Sequence, residues 1–199
     1  MGKENQRVVV SNTYNKFSTE EINHLFAEAA GKPFNIADFI SGNEVNISRI
    51  AQDFFGIKVA MDEKMDSDTS GKIDMTAKQI TVNFFQHTHR QRFTIAHEIS
   101  HYIFHQLYPD KFADLQEVFR SENNVHYEGW QDMQNEIDAN QLASSILMPS
   151  DLLRGSIHSW TNQHSSITSK NVNELVDDLS EKFNVSPASL IYHVKNFRD

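Results

Sequence analysis

The segment His97-Glu98-Ile99-Ser100-His101 is the feature that most restricts how this chain can fold. Residues four positions apart project from the same face of an α-helix, so both imidazoles can contact one metal ion. The surrounding sequence favours a helix over 88–107, because apolar residues recur at helical spacing. These residues are Phe93, Ala96, Ile99, Ile103 and Leu107. The fold must therefore pack this helix against a core and present a metal-binding face.

Glu98 lies one residue beyond His97, where its carboxylate can reach a metal-bound water without being a ligand. Zinc lowers the pKa of such a water toward 7, and Glu98 could accept its proton and later deliver it to a leaving amine. The alternative is a surface helix that carries histidines for no chemical purpose. About 0.03 such matches per chain arise by chance, and the alternative does not explain the metal-ligand spacing.

A zinc site needs a third protein ligand, and a second helix predicted over 132–147 offers one. Glu136 and Asn140 are i and i+4 on this helix, so Glu136 could bind the metal while Asn140 orients a histidine. His105 continues the series on the first helix but lies about 12 Å from His97 along the axis, too far to share an ion. Asp138 points elsewhere on a regular helix and is interpreted as an exposed acid.

Composition excludes several classes of function. The chain has 199 residues, 39% of them hydrophobic, and a net charge of −9. It has no cysteine, which excludes disulfides, thiolate metal sites and cysteine nucleophiles. It has no apolar run long enough for a transmembrane helix. We expect a soluble, cytoplasmic protein, and the acidic charge argues against nonspecific binding to nucleic acid.

The remaining pattern predicts an α+β architecture in which helices dominate the C-terminal half. Ser18 and Glu21 form a capping box that begins a helix ending near Gly31. Further predicted elements are a helix at 47–55, strands at 57–61, 72–75 and 79–85, an irregular stretch at 108–130, a loop at 155–169, and helices at 171–183 and 187–197. The predicted organisation is a flexible lead-in at 1–16, a main domain at 17–154 and a helical subdomain at 155–199.

Two blocks resemble the ImmA/IrrE family of metallo-endopeptidases, RQRFTIAHEISHYIFH and EIDANQLASSILMP. The resemblance covers roughly residues 40–150, with Ser100 and Ile146 replacing common Gly and Leu residues. It implies a zincin-like core with a small N-terminal antiparallel or mixed sheet and two metal-binding helices. The spacing of the C-terminal residues indicates a helix-turn-helix-like unit after this core. The resemblance also implies that His97, His101 and Glu136 bind one zinc ion, that Glu98 is the general base, and that Asn140 matches the motif's Asn. Mn²⁺ and Fe²⁺ are the alternatives to zinc as the bound metal.

The resemblance further implies an endopeptidase that cleaves a partner protein, a helix-turn-helix transcriptional repressor, and so derepresses genes. The alternative is a non-catalytic anti-repressor that acts by stoichiometric binding. The C-terminal helices themselves resemble a helix-turn-helix, but residues 171–199 carry a net charge of −2. This charge argues against direct DNA binding and favours packing or partner binding. Oligomeric state is not readable from the sequence.

Three further features are candidates for contact with a substrate. His126 and Tyr127 have the residue types that stabilise an oxyanion, although a pair of surface aromatics is the simpler interpretation. Arg92 could hold a substrate carbonyl or form an internal ion pair. The strand predicted at 79–83 is a candidate edge against which an extended substrate could lie.

Overall fold

A computed structural model describes residues 17–109, 117–121, 130–164 and 170–195. The predicted lead-in at 1–16, together with His126 and Tyr127, lies outside these residues. The helices are α1 (Thr19–Ala30), α2 (Ile47–Arg49), α3 (Thr88–Leu107), α4 (Trp130–Leu147), α5 (Ser150–His164), α6 (Val172–Phe183) and α7 (Pro187–Lys195). The strands are β1 (Ile40–Ser41), β2 (Glu44–Val45), β3 (Lys58–Asp62), β4 (Thr69–Asp74), β5 (Gln79–Asn83) and β6 (Glu117–Ser121).

Four strands form a mixed sheet in the order β3-β5-β4-β6. β3 runs parallel to β5, whereas β4 runs antiparallel to both β5 and β6. Ile73, Ile80 and Val82 are fully buried on the inner face of the sheet. The prediction that β5 offers an edge to a substrate is wrong, because β3 and β4 occupy its two sides. Among the described strands, β3 and β6 form the edges of this sheet.

Helix α3 lies directly against the sheet, and Gly71 on β4 makes the close approach possible. A Cβ atom at this position would lie 2.5 Å from Cγ2 of Thr94 and 2.7 Å from the carbonyl oxygen of Thr81. Every residue of α3 from 94 to 104 is buried. A helix enclosed on all sides is a core element, so the predicted histidine motif lies at the centre of the molecule.

The N-terminal layer follows the predicted pattern. Ser18 and Glu21 form the expected capping box, and Gly31 ends α1 in the left-handed conformation. The helix predicted over 47–55 is present as α2, continued by one π-helical turn, Ile50–Phe54. Aromatic rings of this layer pack together, and Phe26 of α1 lies at a centroid separation of 4.6 Å from Phe34, with the two rings tilted by 32°.

Strand β5 is shorter than the sequence predicts, because Asn83 turns the chain. Its Oδ1 accepts a hydrogen bond from the Phe85 amide at 3.0 Å. Its Nδ2 donates to the carbonyl oxygens of Asp66 and Thr69 at 3.0 and 2.8 Å. A side chain that bonds its own backbone two residues on offers an alternative to the sheet ladder. Phe84 and Phe85 therefore leave the strand.

Two predictions of irregular structure are wrong. The stretch at 108–130 contains strand β6, which pairs with β4. The loop predicted at 155–169 is helical as far as His164, because Leu153 and Trp160 anchor α5 in the core. The hydroxyl groups of Ser156 and Thr161 donate to backbone carbonyls within the helix, so its polar residues are compatible with it. The boundary predicted after residue 154 falls inside α5, and the division into domains stays a prediction.

The C-terminal helices form the predicted two-helix unit. Asn184, in the left-handed conformation, ends α6 and turns the chain toward α7. Leu179, Phe183 and Leu190 are buried between the helices and the rest of the core. The fold as a whole is α+β, with a small mixed sheet and two packed helices, which is the architecture that the resemblance implies.

Candidate metal centre

Helix α4 packs along α3 and brings a second set of polar side chains to the histidines. Ala139, Leu142 and Ala143 are fully buried on its packed face. Small residues at a helix contact shorten the interaxial distance. Glu136 and Asn140 lie three residues before Ala139 and Ala143 on α4, and the side chains of both contact His97.

Three predicted ligands converge on one point. The Nε2 atoms of His97 and His101 lie 2.9 Å apart. The Glu136 carboxylate lies 3.3 Å from Nε2 of His97 and 3.0 Å from Nε2 of His101. Both histidines are completely buried. Among the described residues this is the group that could hold a metal ion, with all ligand atoms within 4.8 Å of one another.

The spacing of these atoms fits a tetrahedral ion. Two ligands at about 2.05 Å from zinc and at tetrahedral angles lie about 3.3 Å from each other. The three observed separations are close to this value. Two imidazoles and one carboxylate leave a fourth position open, as in catalytic rather than structural zinc sites. The residues present therefore fit a zinc ion.

Asn140 orients His97 from the far side of the ring. Its Oδ1 lies 3.1 Å from Nδ1 of His97. Because an amide oxygen can only accept, Nδ1 carries the proton and donates it. The lone pair of Nε2 is then free and points toward His101 and Glu136. A hydrogen bond of this kind selects the tautomer that a metal requires.

The carboxylate of Glu136 is held in its charged form. Burial raises its pKa, but when the rings of His101 and His97 are protonated, their hydrogen bonds and charges outweigh burial, and the pKa then lies well below its usual range. Its side chain retains 18% exposure, so the group lies at the boundary between the core and the surface. An ionised carboxylate at this boundary is suited to binding a cation.

Glu98 is as deeply buried as the two histidines beside it. Buried acids are rare unless a specific interaction offsets their desolvation. Its place between two convergent ligands on α3 is the one that the sequence predicts for a general base.

The contacts of Arg92 are with residues outside the histidine cluster. Its guanidinium forms an ion pair with Glu44 at 2.6 Å and donates to the carbonyl oxygens of Val45 and Asn184. Burial lowers the pKa of Arg92, whereas the charge of Glu44 raises it. These contacts correspond to the internal ion pair weighed above, and its contact with a substrate stays a prediction.

Two residues near the motifs lie outside the cluster, as expected. His105 is not part of the group that could hold a metal. Asp138 accepts a hydrogen bond from Gln134 one turn earlier on α4. Glu44 and Asn184 are not predictable from the sequence as partners of Arg92, because they lie 48 and 92 residues away and meet it only in the tertiary structure.

Comparison with known proteins identifies the family. The model of the IrrE N-terminal-like domain, peptidase family M78, matches residues 52–195. This range contains α3 and α4, which carry the candidate metal ligands, and the C-terminal two-helix unit. The chain belongs to this family, which confirms the resemblance stated above and defines the protein as metallopeptidase-like at the family level.

The fold also occurs in a solved structure, a Mycobacterium tuberculosis transcriptional regulator. The two share 16% sequence identity with a TM-score of 0.56, over 91% of this chain and 47% of that one. The chain therefore spans about half the length of this structural relative, and the likeness concerns the fold. No curated protein matches the chain significantly. Within the described part of the chain, no helix has the length and apolarity needed to cross a membrane.

Proposed function

We propose that the protein is a zinc-dependent endopeptidase that hydrolyses a peptide bond in a specific partner protein, a helix-turn-helix transcriptional repressor. The observation that carries the proposal is the convergence of His97, His101 and Glu136 within 4.8 Å. Membership of a peptidase family supports the reaction class. A DNA-bound repressor as substrate would place the reaction in the cytoplasm.

His97, His101 and Glu136 would hold the ion, and Asn140 would keep His97 in the required tautomer. When bound, zinc acts as a Lewis acid that acidifies a water molecule and polarises a peptide carbonyl. Glu98 would accept the proton of the attacking water at its carboxylate and deliver it to the nitrogen of the leaving amine. Complete burial holds Glu98 among the proposed ligands on α3, which supports this role.

The second part of the proposal is that the substrate is a helix-turn-helix repressor. It rests on the resemblance to the ImmA/IrrE family, and the fold shared with a transcriptional regulator is compatible with it. We propose His126 and Tyr127 as oxyanion contacts on residue type alone. The acidic C-terminal unit is proposed to bind protein rather than DNA.

Co-expression with a helix-turn-helix repressor encoded beside the gene tests the proposal. We expect repressor fragments with the wild type and none with Glu98→Gln, which removes the base but keeps the metal ligands. Glu174→Gln is the matched control, because it makes the same change on the exposed surface of α6. Intact repressor together with derepression in both wild type and Glu98→Gln would instead establish antagonism by binding.

A further inference from the structure

Three large apolar side chains form an exposed surface where β3 and β5 end. Met61, Phe84 and Phe85, here called the aromatic patch, are 49%, 48% and 74% exposed. The two phenylalanine rings meet edge to face at a centroid distance of 5.4 Å. Met61 is paired with Val82 on the adjacent strand, two residues before Phe84. Grouped exposed apolar residues of this size mark an interaction surface.

An acidic loop lies against the aromatic patch. Residues 62–68, here called the acidic loop, contain four acidic residues and one lysine. The Phe84 amide donates to the carbonyl oxygen of Asp62 at 3.0 Å. Nδ2 of Asn83 donates to the carbonyl oxygen of Asp66 at 3.0 Å. These hydrogen bonds use the backbone of the loop, and the side chains of Glu63, Asp66 and Asp68 are exposed.

We propose that the aromatic patch and the acidic loop form a docking surface for a partner protein segment that combines lysine or arginine with apolar side chains. Apolar residues would cover the two rings, and cations would pair with the loop or lie over a ring face. The negative charge of the loop repels anionic lipid and nucleic acid, which leaves a basic protein as the complementary occupant. A DNA-binding repressor is a partner of this chemistry, and in this respect the inference rests on the proposed function.

The docking surface is separate from the metal centre. Phe85 precedes the start of α3 at Thr88, and His97 follows nine residues later, about 14 Å along the helix axis. An extended segment of about four or five residues spans this distance. A substrate held at the docking surface could therefore reach the metal centre with a neighbouring segment, and binding can be measured without cleavage.

Fluorescence anisotropy with a labelled peptide of alternating lysine and leucine tests the proposal. We expect binding to the wild type, at least about tenfold weaker binding to Phe84→Ser/Phe85→Ser, and weaker, less salt-dependent binding to Asp66→Asn/Asp68→Asn. Tyr192→Ser is the matched control, because Tyr192 is 60% exposed on α7. It should bind like the wild type. Peptides with glutamate in place of lysine, or serine in place of leucine, should bind weakly.

Several results would overturn the proposal. One is that the wild type does not bind the lysine peptide, and another is that it binds the glutamate peptide with the same affinity. A third is that Phe84→Ser/Phe85→Ser binds the lysine peptide with the affinity of the wild type. Binding of the protein to vesicles of anionic lipid through the aromatic patch would identify a membrane surface instead. Self-association that is lost in the double variant would identify a second copy as the occupant.

Two controls separate this inference from folding defects and from the catalytic proposal. Thermal unfolding of each variant should match the wild type, since the altered side chains are exposed, and Phe85→Ser alone provides a milder change. Glu98→Gln should bind the peptide with unchanged affinity. If Glu98→Gln still cleaves a repressor, the catalytic assignment fails while the anisotropy result stands.

Discussion

Replacing Asn140 by alanine should weaken zinc binding without removing any ligand. In the wild type the amide oxygen accepts the hydrogen bond from Nδ1 of His97 at 3.1 Å. The alanine variant has no acceptor at this position, so the proton is free to move to Nε2. Protonated Nε2 has no lone pair for a metal, and the ion must then compete with the proton.

The expected magnitude follows from the burial of His97. Its ring is completely buried, so a donor left without a partner costs about 1–3 kcal/mol. Loss of a residue that orients a metal ligand lowers metal affinity by about tenfold to a hundredfold, which is the same range. Asn140→Asp keeps an acceptor oxygen near Nδ1 and should retain wild-type affinity or exceed it.

Competition with a chromophoric zinc indicator at fixed pH measures these affinities directly. Asn173→Ala is the control, because it removes an exposed asparagine from α6. Nitrogen NMR shifts of the metal-free protein should show the Nδ1–H form of His97 in the wild type and a mixture in Asn140→Ala. Wild-type affinity in Asn140→Ala, or an equally weak Asn140→Asp, would refute the role assigned to this hydrogen bond.

Three further predictions concern stability. Zinc at a concentration of a hundred times its Kd should stabilise the folded protein by about 2.7 kcal/mol. The melting temperature should therefore rise with zinc and fall again with a chelator. An unchanged melting temperature would contradict a metal site in the folded state. Gly71→Ala should lower the free energy of unfolding, measured in urea, by about 1–3 kcal/mol, because the added methyl group clashes with α3. Gly155→Ala has open space around it and should raise the free energy of unfolding slightly. Equal effects of the two substitutions would contradict this reasoning. Arg92→Leu should lower the free energy of unfolding by about 1–3 kcal/mol, because the carbonyl oxygens of Val45 and Asn184 lose their donor and Glu44 loses its ion-pair partner. Arg92→Lys should restore this only in part, and full rescue by lysine would mean that the carbonyl contacts contribute nothing.

The candidate metal centre was predictable because its determinants are local. His97 and His101 lie one helical turn apart, and so do Glu136 and Asn140, so helix geometry alone aligns each pair. The sequence also predicts that the two pairs meet, and the distances of 2.9–3.3 Å among the ligand atoms confirm it. Local spacing does not report which exposed surfaces accompany the site. The sequence predicts Phe84 and Phe85 as part of a strand, whereas in the structure the side chain of Asn83 turns the chain before them.

The errors have a common physical origin in tertiary context. Strand β6 is stabilised by pairing with β4, and its own sequence lacks a clear alternation. Helix α5 is rich in serine, threonine, asparagine and histidine, yet Leu153 and Trp160 bury its inner face. Assigning β5 to an edge failed for the same reason, since strand order depends on long-range pairing.

Mass spectrometry of a purified repressor after incubation with the zinc-loaded protein in ¹⁸O-labelled water tests the central claim most directly. The account predicts two fragments whose masses sum to the repressor plus one water, with the label at the new carboxyl terminus and no fragments from Glu98→Gln. An intact repressor in a stable complex with the zinc-loaded wild type would contradict the catalytic claim and identify the protein as a binding antagonist.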